Sequence, residues 1–184
     1  MKDKKINIFK LILYIIYIFS IIFFIFKGEY GKSGLSAICL IILFVLNKLY
    51  SKNHPIIDKS LFIFGNLFML SSFLLGSCYN FYDKIKIYDD LLHFWSGFIS
   101  VKIGWNILNF LNIQNSSSKI IILIFLLFFG LGISGLLEII EYTLDLLFSK
   151  NTQPGGLKDT MQDMIDALVG SLIMSGYFFK KIEK

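Results

Sequence analysis

Arginine is absent from this chain; its 18 basic residues are all lysine. That removes the planar fork that grips phosphate or carboxylate at two points, so an anion site here would depend on lysine point charges or backbone amides. Cysteine is almost as scarce. Cys39 falls inside the second apolar block and Cys78 near the end of the third, with no CxxC spacing at either, which reads as packed thiols in place of a disulfide or metal pair. The two prolines sit in short connections, His54-Pro55 reading as a turn and Pro154-Gly155-Gly156 as a chain break. No A-x-A-like cleavage site follows the first apolar block, from Ile8 to Phe26; Lys27, Gly28 and Glu29 come next. The block therefore reads as an uncleaved first span. No stretch fits a soluble domain.

What the chain does have is apolar length. Of 184 residues, 55% are hydrophobic and 17% aromatic, and the mean hydropathy is +0.69. A bilayer is crossed by roughly 17 to 25 predominantly apolar residues, and hydropathy with turn punctuation places spans near 8–26, 34–50, 60–80, 90–111, 119–147 and 160–179. The expected fold is an all-α membrane protein, a single integral domain over 1–184 built as a bundle of about six transmembrane helices. A three-helix scaffold half occupies 8–80, and a three-helix half over 88–179 carries a polar site.

The net charge of +5 is a topology signal and excludes no more than a nucleic-acid surface. Lys2, Lys4, Lys5 and Lys10, then Lys48, Lys52 and Lys59, then Lys119, and finally Lys180, Lys181 and Lys184 all fall on one side of the six-span arrangement. The opposite connections carry Lys27, Lys32, Lys84, Lys86, Lys150 and Lys158. The bias puts both termini in the cytoplasm of a multi-pass protein of the cell (plasma or inner) membrane, with membrane lipids as its surroundings.

The first three spans are rich in Ile, Leu and Phe and nearly free of ionisable residues, as scaffold helices facing lipid are. The last three differ. Span four opens Tyr88-Asp89-Asp90-Leu91-Leu92-His93, with the acids four and three residues before the histidine and therefore on its face. Gly97, Ser100 and Gly104 continue that stripe, and small residues let membrane helices approach closely. In span five Glu138, Glu141 and Asp145 share a face above Ser134 and Gly135. In span six Asp159, Asp163, Asp166, Ala167 and Gly170 form one stripe, with Asp166 roughly 10 Å deeper than Asp159 by helical rise. Spans four and six begin at the membrane face where span five ends, so the three polar sets meet in depth.

Acids in a membrane helix persist where they face water, a cation or each other, and crowded carboxylates repel unless a cation joins them. The expected site is a divalent metal held by His93 with Glu138, Asp163 and Asp159, leaving Asp166 and Glu141 as catalytic carboxylates. Oxygen donors with one imidazole suit Zn, Mn or Fe, and Mg is compatible; no organic cofactor is indicated. Such an ion activates water, with a spare carboxylate as general base.

Structural roles compete for several of these residues. Asp89, Asp90 and Asp159 stand where acids cap helices and favour the positive end of the helix dipole. Glu141 and Asp145 can pair with Lys150 or Lys158. Lys102, nine residues from His93, falls on the opposite face of span four. Trp95, Trp105 and the tyrosines near span ends read as interfacial anchors.

Tyr88-Asp89-Asp90-Leu91-Leu92-His93-Phe94 with Gly97, Glu138-Ile139-Ile140-Glu141, and Asp159-Thr160-Met161-Gln162-Asp163-Met164 with Asp166 and Gly170 resemble the YjdF-like family of bacterial inner-membrane proteins, a domain of unknown function. That resemblance covers the second half of the chain and implies architecture and site position. The Asp-x-x-x-His start and the acidic last helix with its glycine step also resemble, more weakly, VanZ-like proteins of the cell envelope. This chain lacks the arginine of that group's last helix. Three functions follow as expectations: a metal-dependent hydrolase acting on a lipid or envelope precursor at the outer leaflet, an ion- or proton-coupled transporter, or a non-catalytic membrane assembly protein. For the transporter, the chain shows neither an internal repeat nor paired broken helices.

Overall fold

The computed structural model of the protein describes residues 4–113, 118–148 and 152–182. Among them every regular element is helical: α1 (Lys4–Phe26), α2 (Tyr30–Ser51), α3 (Lys59–Met69), which continues as a π-helical segment (Leu70–Cys78), α4 (Phe81–Lys84), α5 (Tyr88–Phe110), α6 (Lys119–Phe148) and α7 (Leu157–Ile182). The chain divides into two compact units, Met1–Lys86 and Ile87–Lys184.

Within the first unit α1 packs on α2, and α2 on the π-helical segment. Leu13, Tyr17, Phe24, Cys39, Leu43, Met69, Leu74 and Cys78 form its core. Both cysteines are free and buried; Cys78 Sγ lies 3.8 Å from Ser36 Oγ and 3.5 Å from the Lys32 carbonyl. α3 is capped by Asp58, whose carboxylate accepts from Leu61 N at 2.8 Å, satisfying an amide that the first turn leaves free. His54 lies in the turn after α2, where its carbonyl accepts from Ile57 N at 3.0 Å. Neither the π-helical segment nor α4 was expected from periodicity, which reads a single span over 60–80 and a loop from Phe81.

In the second unit α7 packs against both α5 and α6, and α5 against α6. The closest approach is between α5 and α7. A Cβ on Gly97 would overlap the Ala167 carbonyl, and one on Gly170 the Phe94 carbonyl; the two backbones touch, and only hydrogen fits at either position. Gly135, placed beneath the acids of α6 by its sequence position, opens to free space; Ser134 alone is buried there. Away from the acids, Val101, Trp105, Leu108, Ile122, Leu126 and Phe178 form an apolar core. Trp105 stacks on Phe178 with centroids 4.4 Å apart and is buried. This corrects its reading as an interfacial anchor: the Trp105 face of α5 is covered by α7. Lys102 lies on the same side, donating to Asn106 Oδ1 at 2.9 Å with its ammonium 5.7 Å from the Phe178 ring.

Among the described residues four helical stretches, Lys4–Phe26, Tyr30–Ser51, Lys59–Cys78 and Lys119–Phe148, are long and apolar enough to cross a membrane. α5 and α7 match them in length, at 23 and 26 residues, but carry the ionisable stripes. A helix flanked by two others presents less of its circumference outward, so its apolar share can be smaller.

Candidate metal centre

α5 starts without a side-chain cap: Ile87 occupies the cap position, and Asp89 and Asp90 fall in the first turn. Asp89 is therefore not the capping residue its position suggests. Its Oδ1 instead lies 3.5 Å from His93 Nε2, one helical turn on. α6 runs the other way and brings Glu138 and Glu141 to the same end of the unit, and the first turns of α7 bring Asp163.

Around the imidazole, Nε2 faces Asp89 Oδ1 at 3.5 Å, Glu141 Oε1 at 3.9 Å and Asp163 Oδ1 at 3.9 Å. Nδ1 faces Glu138 Oε1 at 3.7 Å. His93, Glu138 and Asp163 are 6%, 4% and 2% exposed, whereas the side chains of Asp89 and Glu141 remain 31% and 26% exposed. Among the described residues His93 Nδ1, Glu138 Oε1, Asp163 Oδ2 and Ser134 Oγ are buried with no hydrogen-bond partner. Buried polar atoms are ordinarily paired, and a buried charge left without a partner is costly.

These separations exceed the roughly 2.7–3.2 Å of a good N–H···O hydrogen bond. They approach the spacing of ligands on one ion: tetrahedral bonds of about 2.0–2.2 Å set donor atoms about 3.3–3.6 Å apart. Asp89, His93 and Asp163 offer three donor atoms within 4.8 Å of one another, as do His93, Glu138 and Glu141. One imidazole with hard carboxylate oxygens is a donor set for Mn, Fe or Zn.

The connection between α6 and α7 contributes a residue that helix periodicity does not reach. Gln153 Nε2 donates to Glu138 Oε2 at 2.9 Å and approaches the Glu138 carbonyl at 3.3 Å, leaving Oε1 directed at His93. Gln153 is held in turn by Asp145, which accepts from Thr152 N at 2.8 Å, Thr152 Oγ1 at 2.7 Å and Gln153 N at 3.1 Å. Asp145 is thus the anchor of this connection and no member of the cluster. Lys150, one of its expected partners, lies outside the described residues. A polar Thr-Gln pair just before Pro154 was the available signal for the role of Gln153.

Of the expected site residues, His93, Glu138, Glu141 and Asp163 come together. Asp159 is not a member of the two groups that contain His93; its side chain lies where a Cβ on Gly155 would point, and its buried Oδ2 has no hydrogen-bond partner among the described residues. Asp166 accepts from Gln162 Nε2 at 3.1 Å and groups with Asp90 and Asp163.

The family described as a predicted membrane protein, DUF2238, matches residues 9–184. The chain belongs to this family. The DUF2238 match covers both units, including every residue of the cluster. A protein of Thermotoga maritima, described as uncharacterized, is 30% identical over 139 residues, covering 75% of this chain and 70% of that protein. No solved structure matches the chain. Family membership makes this a membrane protein.

Proposed function

We propose that this protein binds a divalent metal ion at the end of its second unit and uses it in hydrolysis of a lipid or envelope precursor. The observation that carries the reading is the imidazole of His93, which faces a carboxylate oxygen from each nitrogen at 3.5–3.9 Å, among buried atoms that lack hydrogen-bond partners within the described residues. Asp89, His93 and Asp163 are the ligands, a three-residue set that leaves coordination positions for water or substrate. Glu138, facing Nδ1, favours the tautomer that keeps the proton on Nδ1 and orients the ring. Glu141, a partly exposed acid beside Nε2 that is not among these ligands, is the general base; a metal-bound water loses its proton far more readily than bulk water.

In this reading the chain crosses the cell membrane six times with both termini cytoplasmic, as the lysine bias supports, which puts the metal at the outer face and its substrate in the outer leaflet. The likeness of the three motifs to YjdF-like proteins supports placing the site on α5, α6 and α7.

The test is elemental analysis of the detergent-purified full chain beside His93→Ala and Asp163→Asn. About one equivalent of a transition metal in the unsubstituted protein, lost in both variants, is expected. Background metal in all three, with unchanged stability, overturns the proposal.

A further inference from the structure

The carboxylates at this end of the second unit extend past His93. Asp90, Asp163 and Asp166 form another group, each offering one carboxylate oxygen within 4.8 Å of the others. Asp163 belongs to this group and to that of Asp89 and His93. Its Oδ1 lies 3.9 Å from His93 Nε2, and its Oδ2 is buried without a hydrogen-bond partner among the described residues. Asp166 is oriented by Gln162, which donates to its Oδ2 at 3.1 Å and leaves Oδ1 for another contact. Three carboxylates at this spacing repel one another, and the unpartnered oxygen of Asp163 lies in the most buried of them.

The geometry points to a second divalent-cation site formed by Asp90, Asp163 and Asp166, joined to the His93 site through the Asp163 carboxylate. This inference rests on the metal reading of the His93 site. A carboxylate with two oxygens serves two ions about 3.5–4 Å apart, the separation of two-metal centres. The two sites differ in chemistry. The first includes an imidazole and takes a borderline transition ion; the second is all oxygen and takes Mg2+ or Mn2+. Manganese suits both, which makes it the probe. The pair of cations also supplies, in a chain without arginine, the concentrated positive charge that an anionic substrate requires.

The experiment loads the full chain, purified in detergent, with Mn2+, removes unbound ion, counts ions per chain and records the electron paramagnetic resonance spectrum. Two ions per chain with an exchange-coupled signal are expected. Asp90→Asn and Asp166→Asn each reduce this to one ion with an uncoupled six-line signal, while their metal-free melting temperatures stay at that of the unsubstituted chain. Asp166→Glu restores the second ion. One ion per chain in the unsubstituted protein, unaffected by either asparagine variant, overturns the second site and leaves the first standing. No bound ion in any of them overturns both.

Discussion

His93 Nδ1 and Glu138 Oε1 face each other at 3.7 Å, and neither of these buried atoms has a hydrogen-bond partner among the described residues. The partner oxygen of the same carboxylate is held by Gln153, so Glu138 is fixed in position without being consumed. In metal sites a carboxylate behind a histidine ligand sets its tautomer and ring angle, and losing it weakens metal binding by roughly 10- to 100-fold. Glu138→Gln is expected to lower Mn2+ affinity by that factor, read by titration, while the metal-free chain melts at an unchanged or higher temperature because one crowded acid is gone. Unchanged affinity in Glu138→Gln would remove Glu138 from the orienting role.

Much of this site is legible in the sequence because helical periodicity alone carries it. Asp89 and His93 are one turn apart, Glu138 and Glu141 share a face, and the small residues Gly97 and Gly170 mark where two helices touch. Other parts escape periodicity. Whether Asp89 caps α5 or turns to His93 depends on where the helix starts, and with Ile87 at the cap position the acid is one residue inside it. Gln153 reaches Glu138 from beyond the end of α6, and Asp145 accepts from its backbone amide, a contact between residues eight apart in sequence. Trp105 is buried because α7 covers it, and no local pattern reports a neighbour so distant in sequence. The π-helical segment Leu70–Cys78 likewise shares its hydropathy with an ordinary helix.

Removing metal should destabilise the fold by linkage, since an ion that binds only the folded state contributes RT ln(1 + [L]/Kd), about 2.7 kcal/mol at a hundredfold excess over Kd. The melting temperature in detergent is therefore expected to rise with added Mn2+ and fall back with chelator. His93→Ala should show a smaller response, the remainder coming from the ion held by Asp90, Asp163 and Asp166. A variant that still responds fully would place the stabilising ion elsewhere.

Asp145 accepts from two backbone amides and one hydroxyl in the connection after α6, and Thr152 Oγ1 also approaches the Glu141 carbonyl at 3.1 Å. Asp145→Ala should free this connection and raise its cleavage by an added protease, with a secondary loss of metal affinity as Gln153 releases Glu138. Asp145→Asn keeps an acceptor oxygen and should fall between the two. Proteolysis unchanged in Asp145→Ala would show that the connection is held by other contacts.

The crossing of α5 and α7 sets the distance between Asp89 and His93 on one helix and Asp163 on the other. At Gly170 a side chain would enter the Phe94 carbonyl, and at Gly97 the Ala167 carbonyl. Both obstacles are backbone, which cannot rotate aside as a side-chain tip can. Overpacking of an interior typically costs about 1–3 kcal/mol, and Gly170→Val should reach the upper end of that range because the helices themselves must separate. It should also lower metal affinity, because Asp163 moves with α7. Gly132 supplies the control: it lies on α6 with nothing within 4 Å of its Cβ position, and alanine there exchanges a poor helix former for the best, a gain of up to about 1 kcal/mol. Thermal melts in detergent should therefore order the proteins Gly132→Ala, unsubstituted, Gly170→Val from most to least stable. Metal titration of the same three should separate only the last. A Gly170→Val chain that melts normally but loses metal would show the crossing acting on the site alone, and one that keeps both would show that α5 and α7 do not meet at these glycines.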